Sequence, residues 1–138
     1  MKSINIGICG LGTIGAGTFN LIDQNSTIIT QRTGREIRVI QVSDLIDNPA
    51  CDLSSVDLSR DIFEVARNPQ VDILVELIGG TTTALKLILS AIENNKHVVT
   101  ANKALIAQHG REIFAAAEQK GVMVAYEASI GGGIPIVK

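Results

Sequence analysis

Residues 7–17 read Gly-Ile-Cys-Gly-Leu-Gly-Thr-Ile-Gly-Ala-Gly, and the glycines at 10, 12 and 15 fall in the pattern G-x-G-x-x-G. Residues 4–9 before them favour extended structure and end on glycine, the signature of a buried first strand. After them Ile14, Thr18, Leu21 and Ile22 recur on one side of a 3.6-residue period, the stripe of a helix laid on a sheet. A strand, a glycine turn and a helix in that order give each glycine a separate task. Gly10 permits the tight turn, Gly12 lets a pyrophosphate approach the backbone, and Gly15 lets the helix press on the strand. The helix then turns its unpaired N–H groups and its dipole toward an anion. Glycine turns also arise for steric reasons alone; the flanking strand and helix favour dinucleotide binding here.

The same alternation continues outward from that turn. Residues 25–34 are polar with two isoleucines and predict a further helical turn or two, stopped at Gly34. A second strand is expected over 37–42, then a polar region over 43–59. A short helix over 61–67 closes at Asn68-Pro69. Residues 71–78, VDILVELI, are nearly all apolar, as a central parallel strand covered on both faces must be. Helices follow over 82–94 and 103–120, the latter with an expected break at His109-Gly110; strands follow over 97–100 and 122–126. Five strands and intervening helices with short connections predict an α/β fold, a doubly wound parallel sheet in a three-layer α/β/α arrangement.

Composition fits one ordinary domain. The 138 residues are 46% apolar and 19% charged, which excludes disorder as the default. A net charge of −2 gives no reason to expect a nucleic acid or an acidic membrane as partner, and an aromatic content of 3% argues against a base-stacking platform. No stretch has the length or flanks of a signal peptide or membrane span, so a cytoplasmic location is expected. Cys9 and Cys51 have no partner at metal-ligand spacing, and Cys9 reads as a small buried hydrophobe.

Three places beyond the glycine turn carry candidate chemistry. At the end of the second strand, Asp44 is placed to hold ribose hydroxyls, which favours NAD. Ser43, helped by Arg35 or Arg38, is placed to donate to a 2′-phosphate, which favours NADP. Lys103 follows Asn102, a good N-cap, and so falls in a first helical turn, where a cation loses a few tenths of a kcal/mol to about one. A local misfit in an otherwise consistent pattern marks a functional position, whereas a solvated surface lysine is the bland reading. Glu76 interrupts an apolar strand and must be buried and paired or turned to the sheet's edge. His97 and His109 lack visible partners and read as ordinary surface residues.

The runs GLGTIGAG, VELIGGTTTALKLILSAIENNKHVVTANKALIAQHG and YEASIGGGIPI together resemble the coenzyme-binding domain of homoserine dehydrogenase, in the right order over nearly the whole chain. The resemblance implies a Rossmann-like domain and an enzyme interconverting L-homoserine and L-aspartate 4-semialdehyde with NAD or NADP, in threonine and methionine biosynthesis. It implies that Gly10, Gly12, Thr13, Ile14 and Gly15 cradle the pyrophosphate and that Thr81 lies along the coenzyme. It places Lys103 at the nicotinamide as the proton-transfer residue. It also implies a monovalent cation, Na+, bound by Glu127 and the carbonyls of Ile130, Gly132 and Ile134. A full-length homodimer, with a substrate and dimerisation domain beyond this chain, completes the implication.

Pro135 suits the first turn of a helix, so residues 135–138 are expected to lead into that further domain, leaving 1–134 as the coenzyme unit. Two other readings stay open on residues alone. One is a different Rossmann dehydrogenase of a small alcohol or semialdehyde; the other is a regulatory module that binds NAD(P) without catalysis.

Overall fold

In the computed structural model, residues 3–46 and 48–126 are described. The first strand, β1 (Ile4–Cys9), leads through the glycine turn into α1 (Thr13–Gln24) and α2 (Ser26–Thr33). Then come β2 (Ile37–Ser43), β3 (Asp57–Ser59), α3 (Ile62–Arg67) and β4 (Ile73–Glu76). The chain continues with α4 (Thr83–Glu93), β5 (His97–Thr100), α5 (Lys103–Lys120) and β6 (Val124–Tyr126).

All strand pairs are parallel, and the order across the sheet is β3-β2-β1-β4-β5-β6. The chain therefore winds outward in one direction to β3, returns to the middle, and winds outward in the other. Neighbouring strands β1 and β4 mark the reversal, where the loops leaving their carboxyl ends diverge and open a crevice.

Alternation along the strands divides the core in two. Ile6, Ile8, Val42, Ile73, Val75 and Val99 meet Phe19 and Ile22 of α1 on one face. On the other, Leu74 and Val98 meet Val65 of α3, Leu87 and Ile88 of α4, and Ile113 of α5. The stripe expected on α1 is only partly buried: Thr18 and Ile22 pack inward with Phe19, Leu21 is half-buried and Ile14 faces out, while α2 buries no residue. Helices α4 and α5 bury Leu87, Ile88, Ile92 and Ile113, so the sheet is covered on both sides, as its apolar strands require.

Two expectations need correction. The sheet has six strands, because Asp57–Ser59 inside the polar region pairs with Gln41–Ser43. Three residues, two of them polar, give periodicity too little length to register. The break at His109-Gly110 is absent: α5 runs unbroken to Lys120 and ends at Gly121 in the left-handed conformation. A Cβ on Gly110 would meet only ordinary contacts, 3.6 Å from the Ile106 side chain, so nothing there bends the helix.

The amino edge of the sheet has its own fastening. Lys96, buried just before β5, donates from Nζ to the carbonyls of Asn68 at 2.5 Å and Val71 at 2.9 Å. Burial pushes its pKa down, and Asp72 opposes that shift. His97 is exposed at the same edge and accepts from the Met123 amide at 3.0 Å. His109 lies along α5 beside Glu112, 3.6 Å away, so neither histidine belongs to the carboxyl edge.

Candidate functional site

The last register position of every strand forms one row along the carboxyl edge: Ser59, Ser43, Cys9, Glu76, Thr100 and Tyr126. Everything the sequence marks as chemical and that lies among the described residues emerges on or just beyond this row, apart from Arg35 and Arg38.

The glycine turn has the geometry its pattern requires. Gly10 has φ +105°, and a Cβ there would stand 2.6 Å from the Leu77 carbonyl oxygen. A Cβ on Gly15 would come within 1.9 Å of the Gly10 carbonyl oxygen, so α1 can sit this close only without one. Gly12 differs: its missing Cβ would meet nothing within 4 Å. Its smallness serves open space, which is what an approaching phosphate needs. Gly12 is also the N-cap of α1, and it has no side chain with which to cap that helix. Its first N–H groups, with those of exposed Thr13 and Ile14, are therefore left for an anion. The residues present fit a dinucleotide.

Two cavities flank this turn. The larger, about 600 Å3, is lined by Gly10, Gly12, Ser43, Asp44, Arg60 and Thr83, among others. Asp44 accepts from the Leu11 amide at 2.6 Å through Oδ2 and from the Leu45 amide at 2.6 Å through Oδ1, so it fixes the glycine turn as well as facing the cavity. Arg60 donates from Nη1 to the Asp44 carbonyl at 2.8 Å, which holds its guanidinium at the cavity wall. The Ser43 hydroxyl is buried in that wall without a hydrogen-bond partner among the described residues. Leu45 and Ile46 stand 79% and 76% exposed just after Asp44.

The smaller cavity, about 250 Å3, is lined by Ile14, Glu76, Leu77, Gly79, Ala101, Asn102 and Lys103. Ile14 is 59% exposed, an apolar side chain at its mouth. Asn102 caps α5, its Oδ1 accepting from the Leu105 amide at 3.0 Å, so Lys103 is the first helical residue. Lys103 is exposed, and no described residue hydrogen-bonds its ammonium. Thr81 lies half-buried in the β4–α4 turn, and the threonine at the larger cavity is Thr83.

Arg35 and Arg38 do not reach the site. Arg38 pairs with Asn5 at the amino end of β2, its Nε 3.5 Å from Asn5 Oδ1. Five residues of extended chain, about 16 Å, separate it from Ser43. The cavity's arginine is Arg60, which carries no signal of its own in the sequence because it follows β3, a strand too short for periodicity to mark. The cation-site candidates Glu127, Ile130, Gly132 and Ile134 lie outside the described residues. Among the described residues no group of three or more His, Cys, Asp or Glu converges to hold a metal, and no helix is long and apolar enough to cross a membrane.

Residues 10–127 match the family described as "Homoserine dehydrogenase, NAD binding domain". The chain belongs to that family. It is 57% identical over 138 residues to a homoserine dehydrogenase of Pseudomonas aeruginosa, matching all of this chain and 32% of that protein. A Neisseria gonorrhoeae homoserine dehydrogenase is 47% identical over 139 residues, again covering the whole chain and 32% of the relative. The crystal structure of a homoserine dehydrogenase from Thiobacillus denitrificans superposes with a TM-score of 0.85 at 49% identity, over 94% of this chain and 30% of that one. The chain thus spans about a third of the length of these homoserine dehydrogenases, 32% of each of the two curated relatives. Its part in such an enzyme is the NAD-binding one, and the readings as an unrelated dehydrogenase or a non-catalytic module lose their support.

Proposed function

We propose that this chain is the coenzyme-binding part of an enzyme that interconverts L-homoserine and L-aspartate 4-semialdehyde with NAD(P), and that Lys103 moves the proton. The supporting observation is one of place: Lys103 and the uncapped start of α1 share the carboxyl edge, with the smaller cavity between Ile14 and Lys103. When bound, the nicotinamide supplies the hydride exchange. The amides of Gly12, Thr13 and Ile14 hold the diphosphate, with Gly10 and Gly15 shaping the turn. In the same reading Thr81, in the β4–α4 turn, and Thr83, at the larger cavity, line the coenzyme's path. In alcohol oxidation Lys103, as free amine, receives the hydroxyl proton; in aldehyde reduction its ammonium returns it.

The larger cavity suits either coenzyme. Asp44 offers a carboxylate to ribose hydroxyls; Ser43 and Arg60 offer donors to a 2′-phosphate, a guanidinium having five N–H groups to share. In the same reading Na+ sits at Glu127 with the carbonyls of Ile130, Gly132 and Ile134, and the full-length enzyme is a cytoplasmic homodimer. Residues 1–134 form the coenzyme unit, and 135–138 lead toward the substrate domain.

Lys103→Met in the full-length protein tests the reading. Turnover is expected to fall about 10²- to 10⁴-fold, the usual worth of a general acid–base group, while coenzyme Kd stays within about twofold. Wild-type turnover in that variant would remove Lys103 from the mechanism.

A further inference from the structure

Glu76 ends β4, one of the two middle strands, and only 1% of it is exposed. A carboxylate in such a place costs several kcal/mol unless donors surround it. It has three, and all belong to the carboxyl edge. Oε2 accepts from the amides of Ile78 at 3.0 Å and Gly79 at 3.2 Å, and Oε1 accepts from the hydroxyl of Thr100, its register partner on β5. Thr100 Oγ1 in turn accepts from the Asn102 amide at 3.0 Å. Asn102 returns the connection, its Nδ2 donating to the Gly80 carbonyl at 2.6 Å while its Oδ1 caps α5.

These bonds close a ring through Glu76, Gly79-Gly80, Asn102 and Thr100, and Lys103 is the next residue along. A carboxylate that served only to end β4 would need just the Ile78 and Gly79 amides. The bond to Thr100 reaches across to the loop that carries the lysine. Glu76, Gly79, Asn102 and Lys103 also line the smaller cavity together.

We infer that Glu76 is a positioning residue for hydride and proton transfer: acting through Thr100, it locks the β4–α4 turn to the start of α5 and so fixes Lys103 relative to the coenzyme. The inference rests on the reading of Lys103 given above. A misplacement of about 1 Å at a reacting group costs on the order of 10²-fold in rate, so a carboxylate with no contact to substrate can control turnover.

The test uses the full-length enzyme with Thr100→Val, Thr100→Ser and Glu76→Gln. Thr100→Val removes the bridging hydroxyl yet keeps a β-branched residue in the strand. Its kcat is expected to fall about 10- to 100-fold with coenzyme Kd and homoserine KM within about twofold, and Thr100→Ser to recover most of that loss. Combining Thr100→Val with Glu76→Gln is expected to lower kcat no further than the worse single variant, because both break one link. Should Glu76→Gln fail to fold, the valine and serine variants decide alone. Wild-type kcat in Thr100→Val overturns the proposal; so does a loss shared equally by Kd and thermal stability that serine does not repair. Inactive Lys103→Met beside fully active Thr100→Val refutes the role of Glu76 alone. Active Lys103→Met refutes the lysine reading and this one with it.

Discussion

Gly12 and Gly15 look alike in the sequence and differ in what surrounds them. Alanine at 15 would drive its Cβ to 1.9 Å from the Gly10 carbonyl oxygen, and relieving that overlap moves α1 off the sheet. Gly15→Ala is expected to destabilise the fold by about 1–3 kcal/mol, as overpacking does, in a urea titration. Gly12→Ala meets no atom within 4 Å and should melt like the wild type, yet lose coenzyme affinity measured by calorimetry, since its methyl occupies the phosphate's approach. Equal effects on stability would contradict this division of labour. The thiols differ in the same manner. Burial, with the Glu76 carboxylate adding to it, pushes the Cys9 pKa well up, whereas half-buried Cys51 is raised by desolvation alone. Iodoacetamide at pH 8 should label Cys51 and spare Cys9 in the native protein, read by mass spectrometry. Because folded Cys9 keeps its proton to higher pH than the unfolded chain does, its contribution is full below the ordinary thiol range. It is lost as pH rises above about 8.5 toward the folded value. At this scale the glycines and Lys103 were legible, since turn chemistry and a violated helix rule are local. Arg60 was not, because its importance comes from a neighbour 16 residues back, the Asp44 carbonyl.

Among the elements, α5 offers the plainest correction. Gly110 sits inside a continuous helix, and a methyl there finds ordinary contacts of 3.6 Å or more. Gly110→Ala is expected to raise stability by about 0.5–1 kcal/mol by removing backbone freedom from the unfolded chain. A lower melting temperature would mean that the contacts with Ile106 and Phe114 are tighter than they look. Lys96 fastens the loop after α3 to the start of β5 at the edge away from the cavities. Lys96→Met leaves the Asn68 and Val71 carbonyls without that donor, and the expected cost is about 1–3 kcal/mol with coenzyme affinity unchanged. The long helices were readable from periodicity, and the central strand from its unbroken apolar run. β3 was not, since its place in the sheet is set by pairing to β2 rather than by any pattern of its own.

For the whole molecule, the reversal of strand order between β1 and β4 puts the glycine turn, Asp44, Arg60 and Lys103 on one rim. The sequence showed alternating strands and helices, which is enough for the fold class. The order of the strands emerges only from which edges pair, and no single segment carries it. The 138-residue chain is expected to bind NADH and NADPH in parallel fluorescence titrations and to oxidise homoserine negligibly. It spans about a third of the length of its curated relatives and, in the proposed reading, the groups that hold the substrate in line lie outside it. Robust turnover by the chain alone would contradict that. Arg60→Ala is expected to weaken NADPH by about tenfold and leave NADH within about twofold, the worth of one charge-assisted hydrogen bond. Around this rim Ile14, Leu45 and Ile46 hold their side chains in water. A ligand that covers them sheds ordered solvent, so association should carry a negative heat-capacity change and an enthalpy that grows more favourable on warming.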